Sequence, residues 1–102
     1  MTKQEILKEI KRRVKNAYPT AQVWLYGSRA RNEATNYSDW DIIVLVDKPV
    51  DYKTHRAIAD PVYDLGMELG EVFSVFIYSQ EEWSKLSFTP FYKEVEHDKI
   101  IL

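Results

Sequence analysis

The chain contains no cysteine, which excludes a disulfide framework and any thiolate metal centre and fits a reducing compartment. No apolar run approaches the roughly 20 residues that a bilayer span requires. The opening residues, Met1-Thr2-Lys3-Gln4-Glu5, lead into a charged helix rather than a signal segment. The expectation is a cytoplasmic protein with no membrane partner. Positive charge is also not in excess: 14 Lys and Arg stand against 16 Asp and Glu, for a net charge of -2. That balance argues against a general nucleic-acid binder, whose domains carry a marked basic surplus. Low-complexity tracts, internal repeats and linkers are absent, so the 102 residues are expected to form one domain, 1–102. An apolar content of 45% with 14% aromatics is enough for a core and lacks the signature of disorder.

Periodicity divides the chain into elements. Thr2 and Glu5 have capping-box spacing, and Ile6, Ile10, Val14 and Ala17 recur on one face, which predicts a helix over Thr2 to Ala17. Its outer face carries Lys8, Lys11, Arg12, Arg13 and Lys15, read as a solvated surface. Ala21 to Tyr26 predicts a buried strand ending at Gly27, and Ser28 to Asn32 predicts the start of a short helix. The run Ile42-Ile43-Val44-Leu45-Val46 predicts a central strand. Tyr52 to Leu69 predicts a helix that Pro61 kinks or restarts, with Asp60 as the cap of a restart and Gly70 as the C-terminal stop. Val72 to Tyr78 predicts a third strand, Ser79-Gln80-Glu81-Glu82 opens a short helix, and Pro90 to Lys99 forms a last one. The fold class is α+β: a small mixed sheet of three strands flanked by helices.

Two features at strand ends carry chemistry. Asp39 and Asp41 are two apart on the second strand, so both carboxylates share one face while Trp40 and Ile42 take the other. At about 4 Å they would repel by about 4 kcal/mol at an effective dielectric near 20, an arrangement that magnesium relieves, since it prefers hard oxygens from one or two carboxylates together with substrate phosphates. Gly27-Ser28 stands where the first strand ends. Glycine admits phosphate oxygens to the backbone, serine offers a hydroxyl, and a helix start offers free N–H groups. Arg29 and Arg31 lie within reach of the same phosphates. Trp24 and Trp40 are read as core, Trp83 with Phe88, Phe91 and Tyr92 as folding back onto the sheet, and His55 and His97 as surface residues.

The run Leu25-Tyr26-Gly27-Ser28-Arg29-Ala30-Arg31, followed after ten residues by Asp39-Trp40-Asp41-Ile42-Ile43-Val44, resembles the signature of the nucleotidyltransferase superfamily related to DNA polymerase β, in particular its minimal nucleotidyltransferases. The segments Val72 to Trp83 and Thr89-Pro90-Phe91-Tyr92 extend the likeness over nearly the whole chain. The resemblance implies the polymerase β-like fold and transfer of a nucleoside monophosphate from a triphosphate, often ATP, to an acceptor hydroxyl, with release of pyrophosphate. It assigns Gly27 and Ser28 to the β- and γ-phosphates and Asp39 and Asp41 to Mg2+. A third carboxylate on the next strand completes the site in active members; here that strand reads Glu71-Val72-Phe73-Ser74-Val75-Phe76, with Glu71 as the nearest acidic candidate metal ligand and Ser74 on the equivalent side.

Small members of the family pair with a helical HEPN-type partner, acting as the antitoxin that adenylylates a ribonuclease toxin. The sequence therefore admits a magnesium-dependent enzyme that modifies a protein or small molecule. It also admits a binding module that keeps the fold and neutralises a partner by contact, motivated by the missing third carboxylate. A third reading is the nucleotide-binding half of a two-chain antibiotic-modifying enzyme.

Overall fold

The computed structural model describes residues 1–102. The capping box predicted at Thr2 and Glu5 starts α1, Lys3–Ala17, in which Ile6, Leu7, Ile10 and Val14 are buried. Then come β1, Gln22–Tyr26; β2, Trp40–Val46; α2, Tyr52–Leu69; β3, Phe73–Ser79; α3, Gln80–Lys85; α4, Pro90–Asp98; and β4, Ile100–Ile101. The strands form one sheet in the order β3-β2-β1-β4, with β2 and β3 parallel and the other pairs antiparallel.

Alternation along the strands separates two cores. On one face Val23, Leu25, Trp40, Ile42, Val44, Val46, Phe73 and Val75 meet the apolar stripes of α1 and α2. On the other, Trp24, Ile43 and Leu45 meet Trp83 of α3 and Val95 of α4. The sheet is thus the middle of three layers, and its central strands are buried on both faces, which is why they read as unbroken apolar runs rather than as alternating ones. Trp24 and Trp40 are both core residues, on opposite sides. Trp83, Phe91 and Tyr92 do fold onto the sheet, whereas Phe88 is exposed.

The structure corrects three sequence expectations. Ser28 to Asn32 is not a helix but a set of tight turns, in which the Gly27 carbonyl accepts from both Ala30 and Arg31, Glu33 donates to the Ser28 carbonyl, and Asn32 adopts a φ of 58°. Pro61 lies inside a single continuous α2, capped by Asp51 and stopped by Gly70 in the left-handed region. Asp60 caps nothing and pairs with Arg56. Finally, the sheet has a fourth strand, β4, whose two residues pair with Trp24 and Leu25. No helix is long and apolar enough to cross a membrane. On the basic face of α1, Arg12 and Arg13 are paired with Glu9, and Arg13 also reaches the Pro61 carbonyl and Glu68, so part of that face fastens α1 to α2.

Candidate active site

The antiparallel register between β1 and β2 sets Tyr26 opposite Asp41, which brings the residue after Tyr26 over the Asp41 carboxylate. That residue is Gly27, with φ +80°; a Cβ there would overlap Asp41 Oδ2 and stand 3.3 Å from Cγ. Glycine is required twice over, by the backbone conformation and by the space it leaves beside the carboxylate. The turn that follows leaves donors unspent: no backbone carbonyl of the chain accepts from the N–H groups of Ser28 and Arg29. Successive free amides in a turn form a concavity suited to an anion. The cradle comes from turn geometry rather than from a helix start.

Asp39 is exposed just before β2, and Asp41 is half-buried at its second position. Burial, and then the negative charge of Asp39, push the Asp41 carboxyl above its ordinary range, while Arg31 draws it back. The two aspartates therefore act on one another, as expected of neighbours on one face. In the parallel register Ser74 of β3 is the partner of Asp41 and shares its face.

Two other expected site residues are placed elsewhere. The Arg29 guanidinium lies 4.3 Å from the centre of the Trp40 ring and donates to the Ser38 carbonyl at 3.0 Å. Glu71 accepts from the Trp40 indole at 3.1 Å and stands 3.7 Å from Arg29. Because Trp40 and Asp41 point to opposite faces, Arg29 and Glu71 form a staple behind the carboxylates, joining the Gly27 turn to the segment that leads into Asp39. No three Asp, Glu, His or Cys side chains gather into a metal-holding group, so Glu71 does not join the aspartates. The pleat explains this: Glu71 precedes Phe73, the partner of Trp40, by two residues, which returns it to the Trp40 side.

Other contacts escaped the sequence. Lys3 of α1 donates to the Arg29 carbonyl at 2.8 Å and to Asn32 at 3.1 Å, holding the turn from below. Arg31 pairs with Asp98 of α4 at 3.2 Å and with Glu33. The Tyr26 hydroxyl donates to Glu94 of α4 at 3.2 Å. Apart from the Arg31–Glu33 pair, none carries a local signal, since each joins residues far apart in the chain. His55 and His97 are exposed, and His97 touches only the neighbouring Asp98.

What the site offers is hard oxygen from two coupled carboxylates beside a backbone cradle, and that donor set suits magnesium carrying phosphate oxygens.

Comparison with known proteins gives a consistent picture. Residues 5–102 match the family model described as a nucleotidyltransferase domain. Over 50 residues the chain is 34% identical to a probable protein adenylyltransferase MntA of Haemophilus influenzae, a match that spans 49% of this chain and 44% of that protein. The match thus spans less than half the length of that curated relative. A crystal structure of a toxin-antitoxin with AMP-PNP superposes with a TM-score of 0.63 at 16% identity, covering 98% of this chain and 72% of that one. A mutant form of the MntA-HpeT toxin-antitoxin does so with a TM-score of 0.61 at 15% identity, covering 99% and 72%. At these identities the structures speak for the fold.

Proposed function

Because the chain belongs to the nucleotidyltransferase domain family, we propose that it transfers a nucleoside monophosphate, AMP from ATP, to an acceptor hydroxyl on a protein. The observation that carries this reading is the seating of Gly27 against Asp41, with Asp39 in electrostatic contact. Gly27, having no side chain, lets the Asp41 carboxylate lie against the start of the phosphate-binding turn. The Ser28 hydroxyl and the Ser28 and Arg29 amides donate to the β- and γ-phosphates. Arg31 supplies positive charge next to Asp41, while the Arg29 side chain and Glu71 hold the two loops in register. Mg2+ on Asp39 and Asp41 would supply neutralisation of the charge that grows on the α-phosphate and pyrophosphate.

The named relative, a probable protein adenylyltransferase, and the toxin-antitoxin structures support a protein acceptor, and a helical HEPN-type toxin is the proposed one. Purified chain with α-labelled ATP, Mg2+ and a co-expressed HEPN-type protein should label that protein. Asp39→Asn with Asp41→Asn should lower the labelling by about 100-fold or more. Equal labelling by the double variant would sink the proposal.

A second reading, neutralisation of the partner by contact alone, is favoured by the lack of a third carboxylate in the cluster. It requires the double variant to neutralise the partner as well as the wild type does. Loss of neutralisation with binding retained decides against it.

A further inference from the structure

The two edges of the sheet are unequal. On one side β4 is two residues long, and a strand that short is one of the ways a sheet protects its margin. On the other side β3 runs for seven residues, and no strand lies beyond it. The usual protective devices are missing there. The segment Phe73-Ser74-Val75-Phe76-Ile77-Tyr78-Ser79 has no charged residue and no proline, and its register with β2 runs without a bulge from Trp40 and Phe73 to Val46 and Ser79. The Trp40 N–H donates to the Val72 carbonyl, which sets the phase of the parallel ladder. Val72, Ser74 and Phe76 turn their backbone groups toward β2, so Phe73, Val75 and Ile77 turn theirs outward. No loop or cap backbone hydrogen bond reaches those three.

Apolar side chains border this open edge on both faces of the sheet. Phe76 is the register partner of Ile43 and shares its face; it is 39% exposed although Phe91 is in contact with it. On the other face Gly66 of α2 lies against the Phe73 ring, while Arg13 of α1 reaches the Pro61 carbonyl and Glu68. Thus β3 and α1 flank α2 on opposite sides. At about 100° per residue, Tyr63 is on the β3 side and Met67 further out, and both are exposed.

We propose that β3 pairs antiparallel with β3 of a second copy of this chain, about a twofold axis through Phe76, joining two four-stranded sheets into one. With Phe76 on the axis all seven residues of the strand find a partner. Val75 and Ile77 of one copy exchange hydrogen bonds with Ile77 and Val75 of the other, and the two Phe76 rings meet in a non-hydrogen-bonded pair, where side chains approach most closely. An edge without charge carries nothing that repels its own copy. Pairing like edge with like also closes after two copies, whereas the short β4 gives a third copy little to hold. Four strands span about 14 Å from edge to edge, so the shortest dimension of the molecule, 18 Å, lies across the sheet and β3 looks out from the broad side, 34 × 29 Å. A contact as long as β3, about 24 Å, and as deep as 29 Å would cover up to about 700 Å2 of each copy, enough for a specific and reversible dimer. The assignment is independent of the transferase reading.

The test is sedimentation equilibrium of the full chain alone over a wide range of concentration. The wild-type mass should climb from one copy to two. Phe76→Lys sets like charges face to face on the axis and should raise the dissociation constant by about 100-fold, while Ile101→Lys, on the β4 edge, should leave it within about twofold. Because the chain has no cysteine, a single one can report the axis. Cα atoms of a non-hydrogen-bonded pair are about 4.5 Å apart, within the span of a disulfide, so mild oxidation of Phe76→Cys should link two copies and Ile101→Cys should stay single. Wild-type melting temperatures confirm that the variants are folded, and if Phe76→Lys is unfolded the cysteine variants decide. A wild-type chain that remains monomeric at every concentration overturns the inference, even if a strand of some other protein binds the edge. So does a dimer that Ile101→Lys weakens as much as Phe76→Lys, or a Phe76→Cys chain that oxidation links no better than Ile101→Cys.

Discussion

Asp41 is held at a cost. Its carboxylate is partly withdrawn from water, pressed against Gly27 and repelled by Asp39, and both burial and repulsion disfavour the charged form in the fold more than in the unfolded chain. The folded carboxyl thus binds its proton more tightly than the unfolded one. Between the raised native value and the ordinary carboxylate range the native state carries more protons, so this residue's contribution to stability rises as pH falls through that window and is lost again as pH climbs above it. Asp41→Asn removes the charge and should raise the melting temperature of the metal-free chain at neutral pH by about a few degrees. It should also flatten that part of the pH profile. A melting temperature lower than wild type would contradict this account of Asp41. Glu9 behaves in the opposite sense: Arg12 and Arg13 hold its carboxyl down to about 2, so its contribution is present above the ordinary carboxylate value and disappears only in strong acid.

At the scale of elements, the short turn after β1 is held from three sides. Lys3 grips it from α1, Arg31 ties it to α4, and Arg29 stacks on Trp40 while bonding the Ser38 carbonyl. Arg29→Ala would remove the stack and leave Glu71 without its positive partner. The expected loss of stability is about 1–3 kcal/mol, and Arg29→Lys should not restore it, because an ammonium lacks the planar fork and the stacking surface. Denaturant midpoints for the three proteins check this, and full rescue by lysine would contradict the staple. The elements also show what could be read in advance. Thr2 with Glu5, and Ser79 with Glu82, announced α1 and α3 because a capping box is a local device. The turn at Ser28 reads as a helix start because serine is a good N-cap and Arg29, Ala30 and Arg31 favour helix; Gly27 and the left-handed Asn32 instead close it into a loop. The strand β4 had no readable pattern, since two isoleucines become a strand only where β1 offers them an unpaired edge. The closeness of Gly27 and Asp41 was legible from the two strands that carry them, but the contacts of Glu94 and Asp98 were not, because they depend on how a distant helix docks.

Across the whole molecule the two cores are unequal. Seventeen buried residues join α1 and α2 to the sheet, whereas five hold α3 and α4. Free energies of local opening follow the density of buried contacts, so α4 should open before β2. Native-state hydrogen exchange is the measurement: amides of α4 should exchange at a lower opening free energy than those of Ile42 to Val46, and equal protection would show the thin layer to be as firmly held as the thick one. The helix that carries Glu94 and Asp98 is therefore in the layer that opens more readily, while Asp41 stays on the central strand of the sheet.

The pairing of Tyr26 with Asp41 has a consequence for how the chain reaches its native state. If β2 slid by one residue against β1, its pleat would turn over, and Asp41 would be driven onto the face that α1 and α2 cover, where Ile42, Val44 and Val46 now pack. Burial of an unpaired carboxylate costs several kcal/mol. The misaligned hairpin is penalised by the Asp41 charge, so that residue acts during folding as a proofreader of strand alignment.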